Sequence, residues 1–405
     1  MHLKNINFTI YYIVVYSKHT WIYSISENSI SIYVIFLLGE HMNGKSIGIL
    51  VIVGLIVVAG IYVFYPKTEK VIVLRTTGAT FPQYQIQKWI EKYQKTHPGI
   101  KIEYNGGGSG YGQETFFKGL TDIGRTDPPV KEDTWKQFMS TGDKPLQFPE
   151  IVGAVVVAYN LPYVKSLNLS RDVLVGIFIG SIEYWDYPEI KELNPNVSLP
   201  HEKIVVIHRS DASGTTAIFT TYLSRINTTW AQKVGSGKTV NWPVDSLGRG
   251  IGAKGNPGVV AALKQTQYSI CYTELSFAIE ENLSVAALQN RNGRYVLPSD
   301  TTIKAAVAAV EAKIPSPAEG YKENLTQLLD AYGNDTYPIV AFTHLLVWEN
   351  INGKHYSSAK AEAIKEFLRW ILTEGQKDTN LSPGYVGLPQ SVAEIGLNAV
   401  NSIQS

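Results

Sequence analysis

The sequence predicts an α/β fold, and three observations carry that expectation. From residue 71 onward, short apolar runs with strand composition alternate with amphipathic runs of helical period. The turns between them are clusters of Gly, Ser, Thr and Asp. The alternation follows one long uncharged run, SIGILVIVGLIVVAGIYVFY at residues 46–65. Alternating strands and helices favour a sheet covered by helices, and in open sheets of that kind ligands sit beyond the strand ends.

Residues 46–65 have about the length that a helix needs to cross a bilayer. The run is apolar all round, which a surface helix of a soluble domain is not, so an N-terminal transmembrane anchor helix is expected. It exceeds the ~7 to 15 residues of a secretory h-region, and YPKTEK after it offers no small-residue cleavage site. Lys45, Lys67 and Lys70 flank it without settling its orientation. Residues 1–45 carry shorter apolar pieces such as FTIYYIVVY, and Met42, followed by NGK and the anchor, is a candidate start of translation.

Beyond the anchor, VIVLRTTGATFP reads as a strand and a turn. QYQIQKWIEKYQKT then places Ile86, Trp89, Ile90 and Tyr93 on one helical face, and Pro98-Gly99 ends that helix. IKIEYN is a strand, GGGSGYG bends into a helix bearing Phe116, Phe117 and Leu120, and DIGRTDPPV is a strand edge entering a loop. A long apolar strand is expected over residues 151–160, IVGAVVVAYN, and another over KIVVIHRSD. SGTTAIFTTYLSRI follows as a helix with Ile218, Phe219, Tyr222 and Leu223 apolar. A final helix over residues 359–375 turns Ile364, Phe367, Leu368 and Ile371 to one side.

Composition limits the chemistry. The chain of 405 residues has 36 Lys+Arg against 35 Asp+Glu, a net charge of +1, so no global field selects nucleic acid and any specificity is local. The single Cys271 excludes an internal disulfide framework and paired-cysteine zinc sites, and its apolar surroundings mark it as a small buried hydrophobe. The histidines lack metal-ligand spacing, and neither a metal nor another cofactor is expected. Asn-x-Ser/Thr acceptors at Asn168, Asn196, Asn227, Asn282, Asn324, Asn334 and Asn380 fit an outward-facing, glycosylated domain. With the anchor, they place most of the chain outside the cytoplasm.

Four clusters carry candidate chemistry: TGATF at 77–81, GGGSGYG at 106–112, GRTDPP at 124–129 and RSDASGTT at 209–216. Each alone is compatible with turn chemistry. In the fourth, Arg209 supplies a fixed cation, Ser210, Ser213, Thr215 and Thr216 supply hydroxyls, and a helix start supplies backbone N–H groups, a combination suited to an oxyanion. VGSGKT at 234–239 resembles the end of a nucleotide-binding P-loop, but Gln232 stands where that pattern needs glycine and no buried strand precedes it. His208 and Arg209 are expected on opposite sides of their strand.

In order and wording these clusters resemble the Pst-type phosphate-binding proteins, the extracytoplasmic receptors of ABC phosphate importers. TGATFPQYQIQKWIEKY, YNGGGSGYG, the TD of IGRTDPP, LQFPEIVGAVVVAYNLP, YWDYPEIKELNP, IHRSDASGTT, VNWPV and GYVGLPQSV carry the resemblance over nearly all of the exported part. It implies a two-lobed, periplasmic-binding-protein-like fold of type II, with lobe one at 71–160 plus 343–405 and lobe two at 161–342. It implies a phosphate site made by the Thr80 hydroxyl, the Phe81 N–H, Ser109 and Asp127 from lobe one, and by Arg209, Ser213 and the Gly214 and Thr215 N–H groups from lobe two, with Asp211 supporting Arg209. The partners implied are inorganic phosphate and the permease subunits of the importer.

Asp127 is the informative residue within that implied site. A carboxylate beside an anion repels it unless the ligand brings a proton; phosphate near neutral pH carries one and sulfate does not. Arg125 departs from the family, which has a small residue there. On an extended strand it shares a face with Asp127, so it brings a second cation towards the cleft, lies at the surface, or pairs with an acidic neighbour. The competing readings are a receptor for sulfate or another tetrahedral oxyanion, a phosphate-ester hydrolase using the same cleft, and a phosphate sensor. No base for Ser109 or Ser213 is evident in the motifs. Arg209→Ala is expected to weaken binding greatly, and Lys238→Ala, in the P-loop-like stretch, to leave it near normal.

Overall fold

The computed structural model describes residues 9–16, 19–26, 31–38, 71–310 and 328–405. The expected anchor at 46–65, the candidate start Met42 and the acceptor Asn324 lie outside them. The chain divides into two compact units, Met1–Lys70 and Val71–Ser405. In the first, strands Thr9–Tyr16, His19–Ser26 and Ser31–Leu38 form a three-stranded sheet with Thr9–Tyr16 in the middle. Among the described residues no helix is long and apolar enough to cross a membrane.

The second unit is built on a nine-stranded sheet: β1 (Ile72–Gly78), β2 (Ile100–Gly106), β3 (Ile123–Thr126), β4 (Pro145–Asn160), β5 (Val205–Arg209), β6 (Gly250–Ala253), β7 (Ser269–Glu274), β8 (Ser284–Val285) and β9 (Val340–Trp348). The order is β6-β5-β7-β4-β9-β3-β1-β2, with β8 pairing to β4. Parallel pairs β1–β2 and β1–β3 lie at one end and β5–β7 and β5–β6 at the other, and β4 joins them by antiparallel pairing. Its first part, to Ala154, pairs with β9, and its last part, from Val155, pairs with β7. One strand thus serves both halves, and the outcome is the two-lobed α/β architecture expected.

β4 starts earlier than expected, because Pro145–Glu150 also finds partners on β9. Nearly every residue of β4 is buried, as a strand covered on both faces requires. Between Thr343 and His344 the β4–β9 register slips: Thr343 faces Ile151 and His344 faces Pro149, leaving Glu150 as a bulge. β3 is not an edge; it lies between β1 and β9.

The helices follow their apolar patterns. Gln83–Thr96 buries Ile86, Trp89 and Tyr93, and the Trp89 indole N–H donates to Gly375 O at 2.9 Å. Gly214–Ile226 buries Ile218, Phe219, Tyr222 and Leu223, and Ser358–Leu372 buries Ile364, Phe367, Leu368 and Ile371. Full burial of such side chains contributes about 1.5 to 3 kcal/mol each. Leu120 departs from expectation: its helix ends at Phe117, Gly119 turns the chain at φ 68°, and Leu120 is exposed. A further helix, Gln390–Asn401, follows the one taken as last and packs Val392 and Val400 into the core. Cys271 is free and fully buried.

The glycosylation acceptors differ in availability. Asn196, Asn282 and Asn334 are exposed. Asn227 uses its side-chain oxygen to cap Thr228–Lys233 through the Trp230 N–H at 2.9 Å.

Candidate functional site

The four clusters converge because each ends a strand and opens a helix, or leads straight into a neighbouring strand's loop. Thr80 and Phe81 follow β1 and precede Gln83–Thr96; Ser109 begins helix Ser109–Phe117; Ser213 caps helix Gly214–Ile226 by accepting the Thr216 N–H at 3.0 Å. Asp127 is the first residue after β3. Thr80, Phe81, Ser109, Asp127, Arg209, Ser213 and Thr215 are all buried.

Gly214 shows how close the two halves come. A Cβ added there would lie 2.1 Å from Asp127 Oδ2 and 2.2 Å from Ser109 Oγ. Across the same seam the Gly110 N–H donates to Ala212 O at 2.9 Å. Gly108, at φ 90°, makes room for the Asp211 carboxylate and the Arg209 guanidinium.

Asp127 is held by Thr343 and Ser109 through three hydrogen bonds. Thr343 Oγ1 donates to its Oδ1 at 3.0 Å, Ser109 Oγ donates to its Oδ2 at 3.2 Å, and its own N–H donates back to Ser109 Oγ at 3.0 Å. Burial pushes its carboxyl from 3.8 up to about 7, against the opposing bonds from Thr343 and Ser109 and the Arg209 charge. Asp127 therefore sits where it can hold or accept one proton near neutrality.

Arg209 is fixed by Asp211, whose Oδ1 accepts its Nε–H at 2.7 Å and whose Oδ2 accepts from Nη2. Burial opposes ionisation of Asp211, but the bonds and charge of Arg209 and the Gly255 N–H outweigh it and keep the carboxyl below its ordinary value. The remaining guanidinium nitrogen, Nη1, makes only long contacts, 3.5 Å to Thr215 Oγ1 and 3.4 Å to Asn256 Oδ1, and so retains capacity for an anion. His208 turns the other way, onto Asp245 at 2.8 Å and the Trp242 ring.

Asn256 was not singled out from the sequence. It lies in the first turn of helix Gly255–Gln265, donates from Nδ2 to Thr215 Oγ1 at 3.2 Å and from its N–H to Thr80 Oγ1 at 3.3 Å, so it touches both halves. The signal was available: GAKGNPGVV repeats the strand, glycine, helix order of the other clusters. Tyr385, also missed, donates to Phe81 O at 2.7 Å from beside the buried Glu274, and no local pattern marks it. Lys238 is not remote either. Its Nζ donates to Gln113 Oε1 across the seam, and its carbonyl accepts the Ser213 N–H at 2.9 Å.

Arg125 is fully buried, and its Nε donates to Glu150 Oε2 at 3.1 Å. Of the three placements open from the sequence, the structure takes pairing with an acidic neighbour, and burial excludes the surface one.

Chemically, the arrangement gathers four helix starts, one cation with a spare donor, several hydroxyls and one carboxyl acceptor. Helix N-termini favour anions, and the carboxyl adds a requirement for a proton. The Ser109–Asp127 contact supplies the serine with a hydrogen-bond acceptor that the motifs did not reveal, but the Asp127 N–H occupies the same oxygen.

Residues 65–374 match the family model of the PBP superfamily domain. The chain is 72% identical over 337 residues to the phosphate-binding protein PstS of Methanocaldococcus jannaschii, covering 82% of this chain and 87% of that one. It is 37% identical over 322 residues to the phosphate-binding protein PstS of Pasteurella multocida, covering 78% of this chain and 86% of that one. Among solved structures it is similar to a high affinity periplasmic phosphate-binding protein bound with phosphate, with a TM-score of 0.60 and 22% identity over 82% of this chain and 99% of that one. A DING protein gives a TM-score of 0.63 at 20% identity, covering 79% of this chain and 92% of that one. These structural likenesses concern the fold.

Proposed function

Because the chain belongs to the PstS family of phosphate-binding proteins within the periplasmic-binding-protein superfamily, we propose that it captures inorganic phosphate between its lobes outside the cell and delivers it to an ABC-type permease. The reading is of a receptor without catalytic activity. Its phosphate contacts are the Thr80, Ser109, Ser213 and Thr215 side chains or N–H groups, the Phe81 and Gly214 N–H groups, Arg209 and Asp127, with Asp211 orienting Arg209. The observation that carries this reading is a buried carboxyl acceptor, Asp127, set among donors and helix starts. Such a site suits a tetrahedral oxyanion that brings its own proton.

The lobes we propose are 71–160 plus 343–405 and 161–342, with 46–65 as the membrane anchor and Asn196, Asn282 and Asn334 as the available glycan acceptors. Full-length protein expressed in cells should stay with membranes after an alkaline carbonate wash, and deletion of residues 46–65 should release it. Release of the intact chain would remove the anchor from the account.

The Ser109–Asp127 contact is the one observation that favours a phosphate-ester hydrolase. Two assays on the purified full chain separate the readings. Mass spectrometry under native conditions should find bound phosphate, and p-nitrophenyl phosphate should not be turned over. Turnover that disappears in Ser109→Ala would replace the receptor reading with a hydrolase.

A further inference from the structure

The site as described leaves one charged pair unused. Arg125 stands on β3, two residues before Asp127, and both are buried, at 0% and 3% exposure. A buried arginine this close to an anion site would attract any anion, with or without a proton. What opposes it is Glu150, also 0% exposed, whose Oε2 accepts from Arg125 Nε at 3.1 Å.

Glu150 reaches Arg125 because it is the bulge residue of β4. A bulge re-aims a side chain that regular pairing would send elsewhere. The two β9 residues flanking that slip both hold Asp127: Thr343 Oγ1 donates to Oδ1 at 3.0 Å, and His344 Nδ1 lies 2.8 Å from the Asp127 carbonyl oxygen. One irregularity therefore places both the acid that cancels Arg125 and the hydroxyl that orients Asp127.

The four charges share one neighbourhood. Burial holds the Tyr104 hydroxyl well above its ordinary range, and Arg125, Glu150, Asp127 and Arg209 all act on it. The Arg125 guanidinium is 5.9 Å from the Tyr104 ring centre. Arg125 Nη1 donates to Thr76 Oγ1, whereas Nη2 and Glu150 Oε1 have no hydrogen-bond partner among the described residues. Burial raises the Glu150 carboxyl above its ordinary value, and the Arg125 charge and its Nε bond oppose that rise, so the acid owes its charge to Arg125 in a layer where a single charge is weakly screened.

We propose that Glu150 is a specificity-determining residue: by cancelling Arg125 behind the site, it preserves the power of Asp127 to reject oxyanions that carry no proton. This rests on the phosphate-receptor reading and adds to it the residue that keeps a cation from overriding the acceptor. In the absence of Glu150's charge, Arg125 attracts sulfate and phosphate alike, and the proton of the ligand decides less.

The test is calorimetric titration of full-length protein, freed of ligand, with phosphate and with sulfate at pH 8. Glu150→Gln should narrow the phosphate-to-sulfate affinity ratio by about tenfold or more, mainly through a gain in sulfate affinity. Glu150→Gln strands a buried cation and risks misfolding, so Arg125→Met/Glu150→Gln, which removes both charges, is measured beside it. The double variant should keep the wild-type ratio. A folded Glu150→Gln that discriminates as well as wild type, or a double variant that loses discrimination, overturns the role of Glu150 and leaves the receptor reading intact. Wild-type protein that takes sulfate as tightly as phosphate overturns the receptor reading and this proposal with it.

Discussion

Arg209 holds Asp211 on its own side of the seam and Lys238 bonds Gln113 across it, and they differ in what their loss leaves. Arg209 has a side chain 1% exposed, and its loss leaves the half-buried Asp211 without its cation, besides removing the proposed charge-assisted donor to phosphate. Arg209→Ala should weaken phosphate binding by about a hundredfold or more in a calorimetric titration. Lys238 is half-buried and bonds the neutral Gln113, so Lys238→Ala should cost less than about tenfold. Equal losses would mean that the cation is not Arg209. Asp127 gives a prediction in pH. Its carboxyl, pushed by burial to about 7, is an acceptor above that pH and carries a proton below it. A protonated Asp127 can donate to sulfate, so sulfate affinity in the wild type should rise as pH falls from 8 to 6, and Asp127→Asn should abolish that dependence. A pH-independent sulfate affinity in the wild type would show that Asp127 does not face the ligand.

At the scale of elements, the site is a meeting of helix starts, and the close approach depends on glycine. A methyl group at Gly214 would fall within 2.2 Å of Ser109 Oγ and nearer still to Asp127 Oδ2. Gly214→Ala should therefore lower phosphate affinity by about ten- to a hundredfold, because the seam must open by the overpacked volume; unchanged affinity would mean that the lobes bind ligand from further apart. The strand-to-helix clusters that build this meeting were legible, because strand period, glycine and helix period follow one another locally in TGATF, GGGSGYG and RSDASGTT. Asn256 had the same local signal. Glu150 and Tyr385 did not: the first acts through a register slip on a strand far away in sequence, and the second through a hydrogen bond to Phe81 O formed only when the chain's end packs back. The fate of Arg125 was undecidable locally for the same reason, since its partner stands on another strand.

At the scale of the whole molecule, two half-sheets share β4 and meet at a seam of Gly110–Ala212, Asn256–Thr80 and Lys238–Gln113 bonds. The seam buries acids that resist ionisation. Burial raises Asp127 from 3.8 to about 7 and, despite the Ser276 and Tyr385 bonds, raises Glu274 from 4.5 to about 8. The unfolded chain loses these protons near pH 4, while the folded ligand-free protein keeps them to about 7 and 8, so the unfolded state binds fewer protons in between. For these groups stability is greatest below about pH 4, falls as pH rises to about 8 and is level beyond. Thermal melting of ligand-free protein should show this fall, and Asp127→Asn should make it shallower; an equal slope in both would deny the buried state of Asp127. The central claim is that the cleft selects an oxyanion by its proton. The most direct measurement is calorimetric titration of ligand-free, full-length protein with phosphate and then sulfate at pH 8, in the wild type and in Asp127→Asn. Tight phosphate binding with sulfate excluded, and sulfate gaining in Asp127→Asn, is the expected result. Sulfate binding the wild type as tightly as phosphate would contradict it.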